Sequence, residues 1–555
     1  MNVIVVDCLT GSEGKRKFSR DFIGAGPRYI AGFIEEISGN AFKTDIIRGE
    51  MILNQSPVFL KKYSIIAVSA MTMDLLIVKK VLKKWNDLKN NKENLSILGG
   101  PIANKKSIIE SLHVDVVFYG QAERSLKILF SVKKQKLRRF LLNSNDEILK
   151  EEIFKDIPNI SFHHTQKENF THNILELTFS DNEFFKNSSG YPNKIKDYQN
   201  FAFCRVYVEL LRGCSNFRRV GLDLQNGKCS SSSCNHCRKE EFSTKEVCPE
   251  NIRPGCGFCS TIAIFGSPQS RSIIKVIEEV RTLIRLGCRR IVLGAPDFLD
   301  FHRDVFSQDK LISPKEPVPN YKALKIFVQN LNAITEVQNE TVQIFIENVK
   351  ASLCTYESLK IMSTIPNAIF SIGCETGSKT FSNLLARPNP PLKVLNVLKI
   401  ANELGIRAHV YFIHSLPGDR TEYAKETLEL IKKIQKLNIE KFTLYKYRKL
   451  PKSPFSKVLR TYECFSQDYV KMIEKIKNLI RNYNFQKKKE MIGKTYRVYL
   501  SERNYVKKND AIGWILQGGP KISVINGYKH IHNFKNVRIV HIISDKLIIG
   551  KIVKD

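Results

Sequence analysis

Short apolar runs that read as β-strands alternate with amphipathic helical stretches along most of this chain, and that rhythm leaves few folds open. In the first 135 residues "MNVIVVD", "YSIIAVSA", "LSILGG" and "VDVVFYG" are spaced by the helix-like "GPRYIAGFIEEIS" and "MDLLIVKKVLKKWNDL". A helical crossover returns the chain to the same end of a sheet, so strands joined this way pair in parallel. Residues 1–135 are therefore predicted to form a Rossmann-like doubly wound sheet, with Gly99 and Gly100 at a carboxyl strand end, where ligands bind in such folds. Residues 136–200 are polar, rich in Lys, Asn and Ser, and weakly periodic; they read as a linker. The rhythm resumes over 201–485, where "RVYVELLRGC", "RRIVLG", "QIFIEN", "AIFSIGCE", "AHVYFIHSLPG" and "KFTLYKY" alternate with helices such as "SIIKVIEEVRTLIRLG" and "LKVLNVLKIANELG". These units fit a partial or complete (β/α) barrel, whose chemistry lies at the carboxyl ends of the strands. From 490 to 555 only strands remain, from "GKTYRVYLSE" to "KLIIGKIV", separated by turn residues, and they predict a small antiparallel β-barrel. The fold class is α/β with a carboxyl-terminal all-β unit.

The thirteen cysteines narrow the chemistry. No amino-terminal stretch combines a charged start, an apolar middle and a small-residue cleavage site, so reduced thiols in a cytoplasmic protein are expected rather than disulfides. The most apolar early run, "YSIIAVSAMTMDLLIV", is short and contains Asp74, which suits a buried strand better than a membrane span. Cys8, Cys288, Cys354, Cys374 and Cys464 sit in apolar surroundings and read as core residues, whereas the other eight fall between Cys204 and Cys259. "CPENIRPGCGFCS", residues 248–260, ends in Cys-x-aromatic-Cys with Phe258 before the last thiol, yet has no cysteine three or four residues upstream of Cys256. Cys214 follows "RG" at the end of a strand, and 41 residues lie between it and Cys256. Thiolates on one cluster must converge in space and not in sequence, so an insertion over 215–255 could return Cys214 to Cys256 and Cys259; Cys248, in a C-x7-C-x2-C spacing, is the alternative. Within the insertion, Cys229, Cys234, Cys237 and Cys248 form C-x4-C-x2-C-x10-C with His236 among them, enough soft ligands for a structural zinc or a second cluster.

With these cysteines the chain resembles the radical S-adenosylmethionine (radical SAM) superfamily, whose usual pattern is Arg-Gly-Cys, x3, Cys, x2, Cys with an aromatic residue before the last cysteine. "SIGCETGSKTFSNLLARPNPP" and "YFIHSLPGDRTEYAKETLEL" resemble further segments of that family in the same order, and "LGAPDFLDF" and "IFIENVK" stand where it has strand ends lining the active site. The resemblance implies a [4Fe–4S] cluster on Cys214, Cys256 and Cys259, with an iron left open for the amino and carboxylate groups of S-adenosylmethionine. It implies reductive cleavage of that cofactor to a 5′-deoxyadenosyl radical, with an electron from a donor such as ferredoxin or flavodoxin. By the same resemblance Arg271 and Glu375 are candidate contacts to S-adenosylmethionine.

The flanking regions carry resemblances of their own. The first 135 residues look like the cobalamin-binding domain that precedes many radical SAM barrels, although "DCLTGSEGK" stands where that family has its Asp-x-His-x-x-Gly. This leaves cobalamin bound without a histidine, or a degenerate Rossmann-like scaffold. The tRNA methylthiotransferases carry three cysteines in their first domain, and here only Cys8 is present. From Gly493 onward the chain resembles a TRAM domain, a small barrel of tRNA-modifying radical SAM enzymes. That resemblance implies phosphate contacts from Lys494, Arg497, Lys521, Lys529, His530, Lys535 and Arg538, and base stacking on Tyr496, Trp514 and Tyr528.

Charge agrees with a polyanionic partner: 88 Lys and Arg against 55 Asp and Glu give +33. The same excess would arise if every protein of a Lys-rich proteome were shifted this way, so it counts only beside a binding module. Taken together, the expectation is a radical SAM transferase acting on RNA, most readily tRNA, by methylthiolation or methylation, with no membrane association. Two other readings stand beside it. One is cobalamin-linked methylation of a protein or small molecule, the basic barrel serving as a lid; the other is an RNA-binding metalloprotein without catalysis.

Overall fold

The computed structural model describes residues 1–8, 21–88, 94–105, 107–142, 147–163, 170–173, 182–199, 201–222, 248, 252–307, 310–457, 464–544 and 546–553. The chain divides into two compact units, Met1–Glu209 with Arg271–Gly287, and Leu210–Ser270 with Cys288–Asp555.

The first unit holds strands β1 (Asn2–Asp7), β2 (Phe22–Ile23), β3 (Lys43–Arg48), β4 (Ile65–Ser69), β5 (Leu95–Gly99), β6 (Val116–Phe118), β7 (Ile160–His163), β8 (Phe170–Asn173) and β9 (Arg205–Glu209). Its main sheet has the order β3-β1-β4-β5-β6-β7-β8, parallel as far as β6 and antiparallel beyond. Val3, Ile4, Val5, Val6, Ile65 and Ile66 are all buried, as near-continuous apolar strands must be when helices cover both faces. The Rossmann-like expectation holds.

Residues 136–200 are not a linker. Helices Lys134–Leu142 and Glu147–Phe154 lead into β7 and β8, which extend the sheet, and the Tyr198 hydroxyl donates to Asp7 Oδ2 at 2.8 Å. Only Ile160 and Phe162 of the four-residue β7 are large, fully buried side chains. So short an alternation does not register against polar surroundings. Helix Ile273–Arg285, expected in the barrel, clusters with this first unit, where buried Glu279 pairs with Arg28 (3.2 Å) and Arg271 (2.7 Å).

The second unit opens with the short antiparallel pair β10 (Leu211–Arg212) and β11 (Gln269–Ser270). A curled parallel run follows: β12 (Arg290–Gly294), β13 (Gln343–Val349), β14 (Ile369–Glu375), β15 (Arg407–His414) and β16 (Lys441–Lys446), each paired with the next. The run does not close on itself, so the partial barrel is the alternative realised. Helix Gln467–Lys489 covers its edge; Asn484 accepts from the Phe442 amide (3.0 Å) and donates to the Phe442 carbonyl (2.9 Å), satisfying backbone groups of an edge strand.

The chain ends in a closed barrel of β17 (Thr495–Arg503), β18 (Ala511–Ile515), β19 (Lys521–Ile525), β20 (Phe534–Ser544) and β21 (Leu547–Ile552), in the order β17-β18-β19-β21-β20. It is not antiparallel throughout: β19 and β21 run parallel. A closed ring with an odd number of strands cannot alternate direction at every step. This barrel packs on the amino-terminal ends of the parallel run. Arg407, first residue of β15, donates to the Gln517 carbonyl at 2.6 Å; Arg290, first residue of β12, lies 4.7 Å over the Trp514 ring; and a Cβ on Gly518 would meet Ile369 at 2.9 Å. It therefore stands at the foot of the sheet and cannot act as a lid over the carboxyl strand ends. Among the described residues no helix is long and apolar enough to cross a membrane.

Candidate functional site

At the carboxyl ends of β12 to β16 lies a cavity of about 260 Å³, and three thiols line it: Cys214, Cys256 and Cys259. Local backbone explains how they meet. Gly213 has φ +81°, and a Cβ there would lie 2.0 Å from the Ser267 carbonyl oxygen, so only glycine lets β10 turn and release Cys214 into the cavity. Gly257 passes so close to the Phe455 ring that a Cβ would overlap it at 2.3 Å, and the Cys259 amide donates to the Cys256 carbonyl at 2.9 Å to close the loop.

Each sulfur has an N–H donor. The Asn216 amide approaches Cys214 Sγ at 3.5 Å; Asn216 Nδ2 and Arg387 Nη1 approach Cys256 Sγ at 3.2 and 3.5 Å; and the Thr261 amide approaches Cys259 Sγ at 3.4 Å. Donors of this kind stabilise thiolates on an iron–sulfur cluster. Burial pushes the Cys214 thiol up to about 12 and raises Cys259. Among the described residues no three His, Cys, Asp or Glu side chains are gathered around a single ion position. Three thiols lining one cavity fit a multi-atom cluster instead.

The strand ends supply the opposite wall. Register shifts between Ile346 and Val349 on β13 and between Gly373 and Glu375 on β14 break the ladder there, and Asn348 and Glu375 take φ +58° and +68°. Such conformations cost on the order of 1–3 kcal/mol each and collect at functional sites, because they re-aim side chains that regular strands would turn away. Glu375 pairs with Arg387 at 3.0 Å, and Arg387 also donates to the Gly373 carbonyl at 2.9 Å. Desolvation raises the Glu375 carboxyl and the Arg387 charge opposes that rise.

A second buried set stands beside Cys214. Lys350 Nζ, on the cavity wall, lies 2.8 Å from Asp300, 3.4 Å from Asp297 and 3.2 Å from the Ser215 hydroxyl; Arg303 also pairs with Asp300. Burial pushes Asp297 up to about 6, whereas Lys350 and Arg303 hold Asp300 below the ordinary carboxylate range despite burial. The two acids hold Lys350 charged.

Cys214, Cys256, Cys259 and Glu375 are thus brought together as expected. Cys248 is not with them: it is buried among Val220, Leu222, Ile252 and Phe381, so of the two alternatives it is Cys214 that lines the cavity with Cys256 and Cys259. Cys229, Cys234 and Cys237, the remaining candidate zinc or second-cluster ligands, lie outside the described residues. Arg271 is a correction. It does not line the cavity, because its guanidinium is engaged inside the first unit by Glu279 and by the carbonyls of Glu209 (2.7 Å) and Ser188 (2.8 Å). Arg387 is the arginine at the site, and its signal was the "ARP" that follows Glu375. Lys350 and the two aspartates lie within "IFIENVK" and "LGAPDFLDF", the segments expected to line the active site, although none was singled out there; Asn216 carried no signal until the fold placed it.

Of the carboxyl-terminal candidates, Lys494, Arg497, Lys529 and Arg538 are exposed. Trp514 is corrected: it is 6% exposed, with Arg290 over its ring and the Lys521 ammonium 4.7 Å from its centroid, so it packs the foot of the sheet and cannot stack on a base.

Residues 243–431 match the Radical SAM superfamily. An uncharacterized protein of Methanocaldococcus jannaschii is 34% identical over 555 residues, 100% of this chain and 99% of its own length. The chain belongs to the radical SAM superfamily. The radical SAM methyltransferase TsrM from Kitasatospora setae, solved with cobalamin and a [4Fe–4S] cluster bound, shares the fold over 82% of this chain and 76% of its own, with a TM-score of 0.55 and 10% identity. The ribosomal protein uS12 methylthiotransferase RimO of Carboxydothermus hydrogenoformans is 22% identical over 289 residues, 52% of this chain and 61% of its own. Membership in the radical SAM superfamily makes the chain an enzyme that uses a [4Fe–4S] cluster and S-adenosylmethionine, and the three thiols lining the cavity fit that cluster.

Proposed function

We propose that this radical SAM enzyme modifies RNA, placing a methyl or methylthio group on a nucleotide of tRNA in the cytoplasm, with Cys214, Cys256 and Cys259 as the thiolates of its cluster. One observation carries the reading: a thiol-lined cavity at the carboxyl rim and, on the same unit, a closed barrel with exposed cations, in a chain of net charge +33. When bound, the cluster supplies the electron that splits the sulfonium of S-adenosylmethionine, and a small ferredoxin or flavodoxin suits the role of donor. The chain's own residues bind and orient. Glu375 offers a carboxylate for an ammonium group, Arg387 and Asn216 support the sulfurs, and Lys350 presents a fixed positive charge on the wall. The test is anaerobic incubation of reconstituted enzyme with total tRNA, S-adenosylmethionine and dithionite, followed by mass spectrometry of the digested nucleosides. A new methyl or methylthio nucleoside, absent with Cys259→Ala, is expected; cofactor cleavage with no altered nucleoside would reject RNA as substrate.

The parallel sheet of the first unit favours a second reading, cobalamin-linked methylation of a protein or small molecule, which the fold shared with TsrM supports. The carboxyl edge of that sheet has open space beside Gly99, but residues 1–112 contain no histidine, so any cobalamin there is held without a ligand of the expected kind. Cobalt analysis of the purified protein after incubation with cobalamin separates the two.

A further inference from the structure

The closed barrel is basic on many sides, yet its two exposed tyrosine rings, Tyr505 and Tyr528, stand at one end among cations. Residues 504–510 join β17 to β18, and at their tip Tyr505 is 83% and Val506 89% exposed. The loop is held rather than loose. The Asn504 side-chain oxygen accepts from the amides of Val506 (2.9 Å) and Lys507 (3.3 Å), its Nδ2 donates to Ser523 Oγ (2.9 Å), and its own amide donates to the Asp510 carbonyl (3.0 Å). The neighbouring turn belongs to the same surface. The Tyr528 amide donates to the Asn509 carbonyl at 3.1 Å, and the Arg503 guanidinium lies 4.4 Å over the Tyr528 ring, which is itself 45% exposed. Lys507, Lys508 and Lys529 are exposed around these rings. The acid within the loop, Asp510, is buried and accepts from the Asn526 amide, so the face presents cations and π-surfaces without a countercharge from that side chain.

We propose that this end of the barrel, built from Arg503, Tyr505, Lys507, Lys508, Tyr528 and Lys529, grips a single-stranded stretch of the RNA substrate; the assignment rests on the RNA reading above. Two exposed tyrosines ringed by cations are what unpaired bases and their phosphates require: a π-face for each base, sequence-tolerant, and charge along the backbone. Because the loop is preorganised, little ordering entropy is lost when a base settles on it. Duplex RNA presents no unstacked base to such rings.

Position then constrains the partner. The 504–510 loop lies at the start of β18, whereas residues 517–519, after its end, pack on the amino-terminal ends of β12 to β15. The thiol cavity is at the other ends of those strands. At about 3.3 Å per residue, one barrel strand and one sheet strand separate grip from chemistry by up to roughly 40 Å. An RNA that uses both must span the distance between them, with an unpaired segment on the grip; a mononucleotide would engage one and not the other.

The experiment is fluorescence anisotropy of the full-length, iron-reconstituted protein with a fluorescein-labelled oligouridylate over a salt series. Wild type is compared with Tyr505→Ala, Lys507→Ala/Lys508→Ala and, on another face of the barrel, Arg497→Ala/Arg538→Ala. Iron content serves as the folding control. Expected are a roughly 5- to 150-fold weaker affinity for Tyr505→Ala and a log–log salt slope shallower by about 1.4 for the double lysine variant, with a smaller loss of affinity for the arginine pair than for Tyr505→Ala. If the arginine pair carries the loss while the loop variants bind as wild type, the grip is elsewhere and the RNA reading survives. If wild type binds neither oligouridylate nor total tRNA at low salt, both the grip and the RNA reading fall.

Discussion

At the carboxyl rim of β12 to β16 the chain buries charge: Asp297, Asp300, Arg303 and Lys350 in one set, Glu375 with Arg387 in another. At the amino-terminal rim of the same strands it buries a ring instead, Trp514, between Arg290 and Lys521, and closes the edge with hydrogen bonds from the Arg407 guanidinium to the Asn367 and Gln517 carbonyls. Packed rings stabilise a rim that needs only to be sealed. Buried ion pairs are poor stabilisers, since desolvation consumes most of their Coulomb gain, but they fix the position and charge of groups around a cavity that must admit a ligand. The comparison teaches that one end of the sheet is built for stability and the other for a defined electrostatic surface.

The difference can be broken most sharply at the thiols. Cys259→Ala and Cys214→Ala should each abolish cluster incorporation, read as iron and sulfide per chain after anaerobic reconstitution, whereas Cys248→Ala should retain it; iron lost only in Cys248→Ala would overturn the assignment. Next in size, Lys350→Met strands the buried Asp297 carboxylate, while Asp300 keeps Arg303, and should lower stability by about 3–5 kcal/mol in urea unfolding. Trp514→Ala should lose a similar amount, about 3–5 kcal/mol, through lost packing. The two should part in a second measurement: the foot variant keeps its iron stoichiometry and the rim variant does not. If both lose iron equally, the rims are not separate in the way described.

A smaller effect belongs to Asp419, just beyond β15. Burial pushes its carboxyl up to about 7 even though the Tyr469 hydroxyl donates to it at 2.6 Å. Its folded value lies above the unfolded one, so between roughly pH 4 and pH 7 the folded state holds the proton more tightly and stability falls as pH rises. Asp419→Asn should remove that slope, and unchanged slopes in the two unfolding-midpoint profiles would exclude burial as its cause. The smallest expected change is at the surface pair Lys432–Glu429, 2.7 Å apart and exposed, where Lys432→Ala should shift stability by under about 0.5 kcal/mol.

Much of the fold was legible because its signals are local. β1, β4, β5 and β12 to β15 announce themselves as apolar runs between amphipathic helices, and β17 to β21 as strands between turn residues. What escaped was non-local. β7 and β8 are too short for periodicity to register in a polar stretch, so a sheet extension looked like a linker. Trp514 and Tyr528 looked alike in sequence, and only packing against Arg290 separates a buried ring from an exposed one. Arg271 was the expected arginine at the cofactor; only the fold shows it paired with Glu279, and Arg387 paired with Glu375 at the cavity.

By itself, then, the sequence determined most of the element types, the superfamily and two of the thiols, Cys256 and Cys259, with Glu375, because hydrophobic periodicity and residue chemistry act over a few neighbours along the chain. Only the tertiary structure decided that Cys214 and not Cys248 stands with Cys256 and Cys259, that Lys350 is pinned between Asp297 and Asp300, and that the carboxyl-terminal barrel sits at the foot of the sheet and not over its mouth. Those are contacts between residues tens to hundreds of positions apart. They are chosen by the burial of side chains and the pairing of charges in the folded state, which no local pattern encodes.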